Sequence, residues 1–457
     1  MPEVYQKFQK ESEAKSFDLQ HRKTIAYNIG KYDAAVSRGK LQYQKLDLVR
    51  RQVALKKYRV IENLENVLKE FEQNFIRRGG KVIWAEDAQE ANLAIIDILR
   101  KKNVKLVVKS KSMVTEELDL NHFLAHQGIE CVETDLGEYI VQISGDKPYH
   151  IVTPVMHKSA KDIAGIFHEK FGLDPESTPA EITKFVRKTL REKFVNATAG
   201  ITGANFLVSG TGTVALTENE GNGVLSASIP RIHIVIAGIE RLIESIDDLH
   251  LFWPLLATFG TGQNITAYNT LISGPRQKDE VDGPEEMYVI LLDNGRSKLL
   301  SQIPQRRTLS CIRCGACLNG CPIYHNVGGH TYGSVYSGPI GAVITPHLRS
   351  MMHYKHLSYA SSLCGKCTEV CPVNIDLHFQ LLQNRNFSVE NKLVPRIEDW
   401  GMRIWKMAML KPKYMSFPGA GIKNFFLKKA FKKTWGNRRD LPVIQKKTFR
   451  DLWKERL

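Results

Sequence analysis

Seven cysteines fall in two runs whose spacing is that of metal chemistry. The first is Cys311-Ile-Arg-Cys314-Gly-Ala-Cys317-Leu-Asn-Gly-Cys321-Pro322, a C-x2-C-x2-C-x3-C-P pattern. Three thiolates two residues apart on a tight loop can each reach a different iron of one small cube. The fourth, three residues further on and followed by proline, turns away to a second cluster. Gly315 lets backbone N–H groups approach the sulfides, and Pro322 stops a helix from running across the turn. The second run is Cys364-Gly-Lys-Cys367-Thr-Glu-Val-Cys371-Pro372, and Ser361 stands where its first cysteine would be. Exchanging the fourth cysteines assigns Cys311, Cys314, Cys317 and Cys371 to one cluster, and Cys321, Cys364 and Cys367 to another. A zinc ribbon would leave three of the seven idle, and a disulfide framework does not suit a long chain without a signal sequence. The expectation is two 4Fe–4S clusters, the second completed by Ser361 or water, or lacking one iron as 3Fe–4S.

Other candidates are weaker. Gly210-Thr211-Gly212 and the acids Glu218 and Glu220 lie in a glycine-rich stretch, Gly200–Gly223. They read either as a backbone cradle or carboxylate site for a small ligand, or as hairpin turns that need positive φ. The stretch matches neither the P-loop nor the dinucleotide fingerprint. His325, His330 and His347 offer extra ligands or proton carriers, against the commoner packing and hydrogen-bonding roles of histidine. Cys131, outside both runs, reads as a buried core thiol. With no flavin fingerprint and no acid–base dyad, nothing makes the chain a self-sufficient dehydrogenase.

The elements that must hold these residues are legible from periodicity. Ile61, Leu64, Leu68, Phe71 and Phe75 form one helical face, closed by Gly79-Gly80. Strands are then expected at Val82–Ala85, Leu106–Val108 and Glu130–Glu133, with helices between them, and further helices at Lys158–Phe171 and Pro179–Phe194. Phe206–Val208 and Val214–Leu216 read as short strands, Ile232–Ala237 as a buried one, and Leu271–Ser273 and Met287–Leu292 as more. Strands alternating with helices predict β-α-β units and a mostly parallel sheet. The expected organisation is an N-terminal helical segment (1–57), an α/β domain (58–302), a mainly α-helical two-cluster domain (303–384) and a basic aromatic C-terminal region (385–457).

Charge is placed at the ends. Residues 401–457 hold 16 Lys and Arg against 3 Asp and Glu, a net +13, and residues 1–60 hold 14 against 6, a net +8, while the body between them is −5. That pattern speaks for docking by the ends and against a nucleic-acid cleft through the middle. In the tail, Trp405, Phe425, Phe426, Phe431 and Trp435 alternate with Lys411, Lys413, Lys428, Lys429, Lys432 and Lys433. A helix there suits an anionic membrane surface or an acidic partner. No stretch is apolar enough to span a bilayer, and the start has no secretory signal, so a cytoplasmic protein with peripheral membrane contact is expected.

With both runs placed, the chain resembles the lactate utilization protein B family. The resemblance is carried by Cys311–Pro322, by Gly328-Gly-His-Thr-Tyr-Gly-Ser-Val-Tyr-Ser-Gly-Pro-Ile-Gly341, by Ser361–Pro372 and by Thr217-Glu-Asn-Glu-Gly-Asn222. It implies that about 70–297 is a LUD domain, similar in fold to sugar-phosphate isomerases and CoA transferases. It also implies a part in oxidising L-lactate to pyruvate beside two companions, one cysteine-rich and one a second LUD-type protein. The electron-carrying role stands first. The alternatives are a metabolite-binding regulatory LUD protein and a lyase-type enzyme using an open iron, as in dehydratases.

Overall fold

Two apolar runs, β7 (Ile232–Gly238) and β10 (Glu286–Leu292), form the centre of the main sheet in the computed structural model, which describes residues 3–410, 414, 417–431 and 440–456. Each is apolar on both faces because each face is covered. Ile232, Ile234 and Ile236 of β7, with Tyr288, Ile290 and Leu292 of β10, point into one core; Val235 and Ala237, with Met287, Val289 and Leu291, point into the other. This is the period of two at work in a doubly covered parallel sheet. The sheet has six strands, all parallel, in the order β1-β10-β7-β4-β2-β3, where β1 is Lys81–Ala85, β2 Leu106–Lys109, β3 Glu130–Glu133 and β4 Ala199–Thr202.

The helix Ala88–Lys101 begins where the Asp87 carboxylate accepts the N–H groups of Gln89 and Glu90 at 2.8 and 2.9 Å, which satisfies two donors that the helix itself cannot. Ala91, Ile95, Ile98 and Leu99 turn inward, as their spacing predicts. The long helix expected around Tyr58–Phe75 is two helices, Leu46–Glu62 and Leu64–Arg77, broken at Asn63. Leu64, Leu68, Phe71 and Phe75 of the second pack on the sheet core.

A second sheet was not separable in the sequence. Its order is β8-β5-β6-β9, with β5 Phe206–Val208, β6 Thr213–Glu218, β8 Leu242–Ile243 and β9 Tyr268–Ile272. After β6 the chain bends at Asn219–Gly221, with Gly221 at φ +74°, and then enters a short helix, Asn222–Ser228, whose Gly223 and Val224 N–H groups donate to the Glu218 carboxylate, both at 2.8 Å.

The chain divides into two compact units, Met1–Asn386 and Phe387–Leu457. In the first, the N-terminal helices share one core with the cysteine loops: Ile25, Ile29 and Val53 belong to the same apolar cluster as Phe252, Cys317 and Leu318. The second contains helices Arg396–Leu410 and Phe449–Lys454, and Trp400, Trp405, Phe417, Phe425 and Phe426 are exposed in it. Lys411, Lys413, Lys432, Lys433 and Trp435, with the side chain of Phe431, lie outside the described residues, and with them much of the predicted aromatic face. Among the described residues no helix is long and apolar enough to cross a membrane.

Candidate functional site

The two cysteine runs fold as one turn of chain used twice. In the first, Arg313 at φ +61° and Gly315 at φ +79° reverse the backbone, so that a one-turn helix, Ala316–Asn319, begins just after Cys314. In the second, Leu363 at φ +53° and Gly365 at φ +79° do the same ahead of Lys366–Glu369. The closing bonds match as well: Gly320 N–H donates to the Ala316 carbonyl and Val370 N–H to the Lys366 carbonyl, both at 3.0 Å. At the start, Arg313 N–H donates to Cys311 Sγ at 3.4 Å, and Leu363 N–H donates to Ser361 Oγ at 3.1 Å. Ser361 thus holds in the second turn the place that Cys311 holds in the first.

The turns exchange their last cysteines in space. Cys311, Cys314, Cys317 and Cys371 line one small cavity walled by Ile151, Ile340 and Ile375. Cys321, Cys364 and Cys367 form a second neighbourhood, close enough to influence one another's ionisation. Burial pushes the Cys314 and Cys317 thiols well up, the Cys371 thiol up to about 12 and the Cys367 thiol to about 11. Cys364 is exposed, and the Lys366 N–H and the Ser362 hydroxyl lower it. Thiols gathered in a dry cavity and held protonated by burial give up their protons to a metal. The donor set therefore fits a thiolate-ligated inorganic cluster.

The first turn is fixed by a buried charge network, none of which periodicity could reveal. Arg296, fully buried, donates to both oxygens of Glu117 at 3.1 and 2.6 Å and to Glu240 Oε2 at 2.6 Å. Arg313 donates to Glu240 Oε1 at 3.2 Å, and its guanidinium lies 4.4 Å over the ring of Tyr336, whose hydroxyl donates to Glu117. Burial pushes Glu240 up, but Arg296, Arg313 and Arg241 outweigh it and hold the carboxyl at about 2. A non-glycine residue in the left-handed region costs roughly 1–2 kcal/mol, and the ion pair to Glu240 offsets this at Arg313. Glu117, Glu240 and Arg296 follow β2, β7 and β10, so the carboxyl ends of the parallel strands grip the cysteine turn. The N-terminal helix Leu46–Glu62 grips from the other side. Its Lys57 donates to the Glu240 and Leu242 carbonyls at 2.5 and 2.6 Å, and its Arg50 donates to the Glu369 and Cys371 carbonyls at 2.7 and 2.8 Å.

A cleft of about 570 Å³ opens at those strand ends, where α/β folds bind ligands. One wall follows β2, β3 and β4 through Lys111, Asp135 and Asn205; another carries Arg241; and Arg313 and Cys314 of the first cysteine turn close it. Lys111 donates to the Val152 carbonyl at 2.5 Å. Glu218 and Glu220 line this cleft, and Gly210, Thr211 and Gly212 are not among its lining residues. Instead Gly212, at φ +62°, packs its backbone against Asn74 and Phe75, where a side chain would not fit. The structure separates the two halves of that predicted site.

The histidines and Cys131 lie apart from the cysteine cavity's lining. His325 pairs with the Asn319 carbonyl at 2.5 Å, His330 with the Lys147 carbonyl at 2.7 Å and His347 with Asn384 Oδ1 at 2.8 Å. Cys131 is buried in β3, its thiol pushed up to about 12 by burial. A histidine the sequence did not single out, His150, is buried against Gly315. Its Nδ1 accepts the Val152 and Thr153 N–H groups at 3.1 and 3.2 Å.

Comparison with known proteins matches two segments of the chain to known families. Residues 68–292 match the LUD domain and residues 307–375 the 4Fe-4S dicluster domain. The chain is 45% identical over 406 residues to lactate utilization protein B of Bacillus cereus (strain AH820), covering 86% of this chain and 85% of the relative. The same identity and coverage hold for the proteins of that name from Bacillus thuringiensis (strain Al Hakam) and Bacillus anthracis (strain A0248). A crystal structure of a DUF162 family protein from Deinococcus radiodurans aligns with 50% of this chain and 98% of that one, at 16% identity and a TM-score of 0.30.

Proposed function

This chain belongs to the lactate utilization protein B family, and we propose from that premise that it is the iron–sulfur electron-transfer component of an L-lactate-oxidising system. The observation that carries the reading is the crossed pair of cysteine neighbourhoods, since a shared turn motif with exchanged ligands is how two clusters are held within electron-hopping range. Cys311, Cys314, Cys317 and Cys371 would hold one 4Fe–4S cluster. Cys321, Cys364 and Cys367 would hold the other, with the Ser361 position, water or a missing iron at its fourth corner. Bound there, the clusters would take up and release single electrons. The chain's own residues supply the rest: the apolar walls exclude water, Arg313 brings positive charge, the Arg313 and Ile375 N–H groups donate to Cys311 Sγ and Cys371 Sγ at 3.4 and 3.3 Å, and the exposed Cys364 offers an exit.

In this reading lactate becomes pyruvate with two companions, one cysteine-rich and one a second LUD-type protein. The +13 of residues 401–457 supports docking on an acidic companion or an anionic membrane surface. The test is anaerobic reconstitution of this protein with its companions, followed by EPR on adding L-lactate. Reduction of clusters in this chain supports electron transfer. Clusters that stay oxidised while pyruvate forms would overturn it. Substitution by alanine tests the ligand sets: the Cys371 and Cys311 variants should lose one signal, and the Cys321 and Cys364 variants the other.

A further inference from the structure

The cleft beside the first cysteine turn is lined by a buried guanidinium that makes no hydrogen bond among the described residues. Three cations line it: Lys111, Arg241 and Arg313. Lys111 is satisfied by the Val152 carbonyl at 2.5 Å and faces Glu138 at 4.0 Å. Arg313 is paired with Glu240 at 3.2 Å. Arg241 is only 8% exposed, yet among the described residues its side chain makes no hydrogen bond or ion pair, and its Nε is buried without a partner. An unpaired buried guanidinium costs several kcal/mol, and a fold that keeps one at the wall of a cleft gains by admitting an anion. The Nε and Nη1 of Arg313, which also lines the cleft, are likewise buried without partners.

We propose that this cleft binds a small organic monocarboxylate, with Arg241 pairing its carboxylate next to Cys314. Guanidinium forks match carboxylate geometry with two parallel hydrogen bonds. The charge count selects the ligand. Arg241 shares Glu240 with Arg296 and Arg313, which leaves a place for one more negative charge, and Asp135, Glu218 and Glu220, which also line the cleft, repel a phosphate dianion about twice as strongly as a monocarboxylate. Those three are already turned to backbone amides: Asp135 to Glu138, Glu218 to Gly223 and Val224, and Glu220 to Leu136, at 2.8–3.0 Å. Ile151, Leu256 and Ile312 give the apolar wall for a short alkyl chain. The cleft is larger than a three-carbon acid, so the acid occupies its inner end and leaves room for a second reactant. The carboxylate site stands on this geometry alone; the choice of a 2-hydroxy or 2-oxo acid rests on the proposed function.

The experiment is anaerobic calorimetry on the full-length, cluster-loaded protein with L-lactate, pyruvate, acetate and inorganic phosphate as separate titrants. Wild type should bind at least one of the three carboxylates and bind phosphate at least tenfold more weakly. Arg241→Gln should weaken the carboxylate at least tenfold, and Arg241→Lys should recover part of the loss. Because Arg241 is buried, iron content and circular dichroism of each variant are checked first. Independently of any variant, saturating carboxylate should shift the EPR signal assigned to the Cys311 turn in wild type and leave the other unchanged. Acetate binding through Arg241 without lactate or pyruvate binding would keep the site and overturn its link to lactate. Equal binding of phosphate, or Arg241→Gln binding like wild type, would overturn the site. If Arg241→Gln only alters the spectrum and no carboxylate binds, Arg241 serves the cluster and the inference falls.

Discussion

The two cysteine turns share one backbone and live in different surroundings. Around Cys311–Cys321 the left-handed residue is an arginine, buried and paired to Glu240, and Cys314 and Cys317 are buried. Around Ser361–Cys371 the left-handed residue is the apolar Leu363, and the turn's ion pair, Lys366 to Glu369, is exposed, as is Cys364. The second turn keeps the fold of the first because φ/ψ, not side-chain burial, sets a turn of this length. It differs in what grips it: three strand ends and Lys57 for the first, Arg50 on two carbonyls for the second. The first turn buries its left-handed arginine with Cys314 and Cys317, whereas the second buries Cys367 and Cys371 but presents Cys364 and Lys366 at the surface.

If burial is the difference that matters, Cys314→Ala and Cys364→Ala should part company. Each should lose about half the iron, but Cys314→Ala should cost more than about 4 kcal/mol of stability and Cys364→Ala about 1–2. Anaerobic urea unfolding with iron analysis reads both, and equal losses would break the comparison. The grip itself is tested by Glu240→Gln, which leaves Arg313 without its counter-charge and Arg296 with Glu117 alone, and should cost about 3–5 kcal/mol. The pH dependence has a definite sign. Glu240 is held at about 2 in the folded chain, below the ordinary value near 4.5. Its stabilisation is therefore present above about pH 4.5 and lost as pH falls toward 2. Unfolding of wild type should steepen through that window, and the variant should lack this component.

The smallest effect expected sharpens the comparison. Since Ser361 Oγ and Cys311 Sγ take the same N–H from the residue two ahead, Ser361→Cys needs no new backbone. Stability should change by less than about 1 kcal/mol. Iron per chain should rise if the wild-type second cluster lacks one, and its EPR signal should move toward that of the first. An unchanged iron count and spectrum would mean that the position faces away from the cluster.

Much of the fold is legible because it depends on local repetition. β7 and β10 announce themselves as apolar runs, and the helix Ala88–Lys101 shows its inward face. Asn63 is different: a helical stripe of Ile61, Leu64 and Leu68 continues through the break, so periodicity alone cannot place it. The second sheet was hidden for a related reason. Its strands are two to six residues long, and which sheet a short strand joins is settled by partners far away in sequence.

In the candidate site the same line divides the residues. Sequence by itself determined the two cysteine turns and the place of Ser361 in the second, because the reach of a small cube fixes ligand spacing within a few residues; it also grouped Cys371 with Cys311, Cys314 and Cys317, which line one cavity. It also marked Glu218 and Glu220, though it joined them to Gly210–Gly212, which packs on the helix Leu64–Arg77 instead. Arg241, Glu240, Arg296, Glu117 and Lys57 carry no local signature, since a charge in a sequence looks the same whether it ends in solvent or in a core. Only the tertiary structure decided that strand ends, an N-terminal helix and a cysteine turn would enclose them together. There, away from water, each charge must find a partner, and the cleft is where one of them has none.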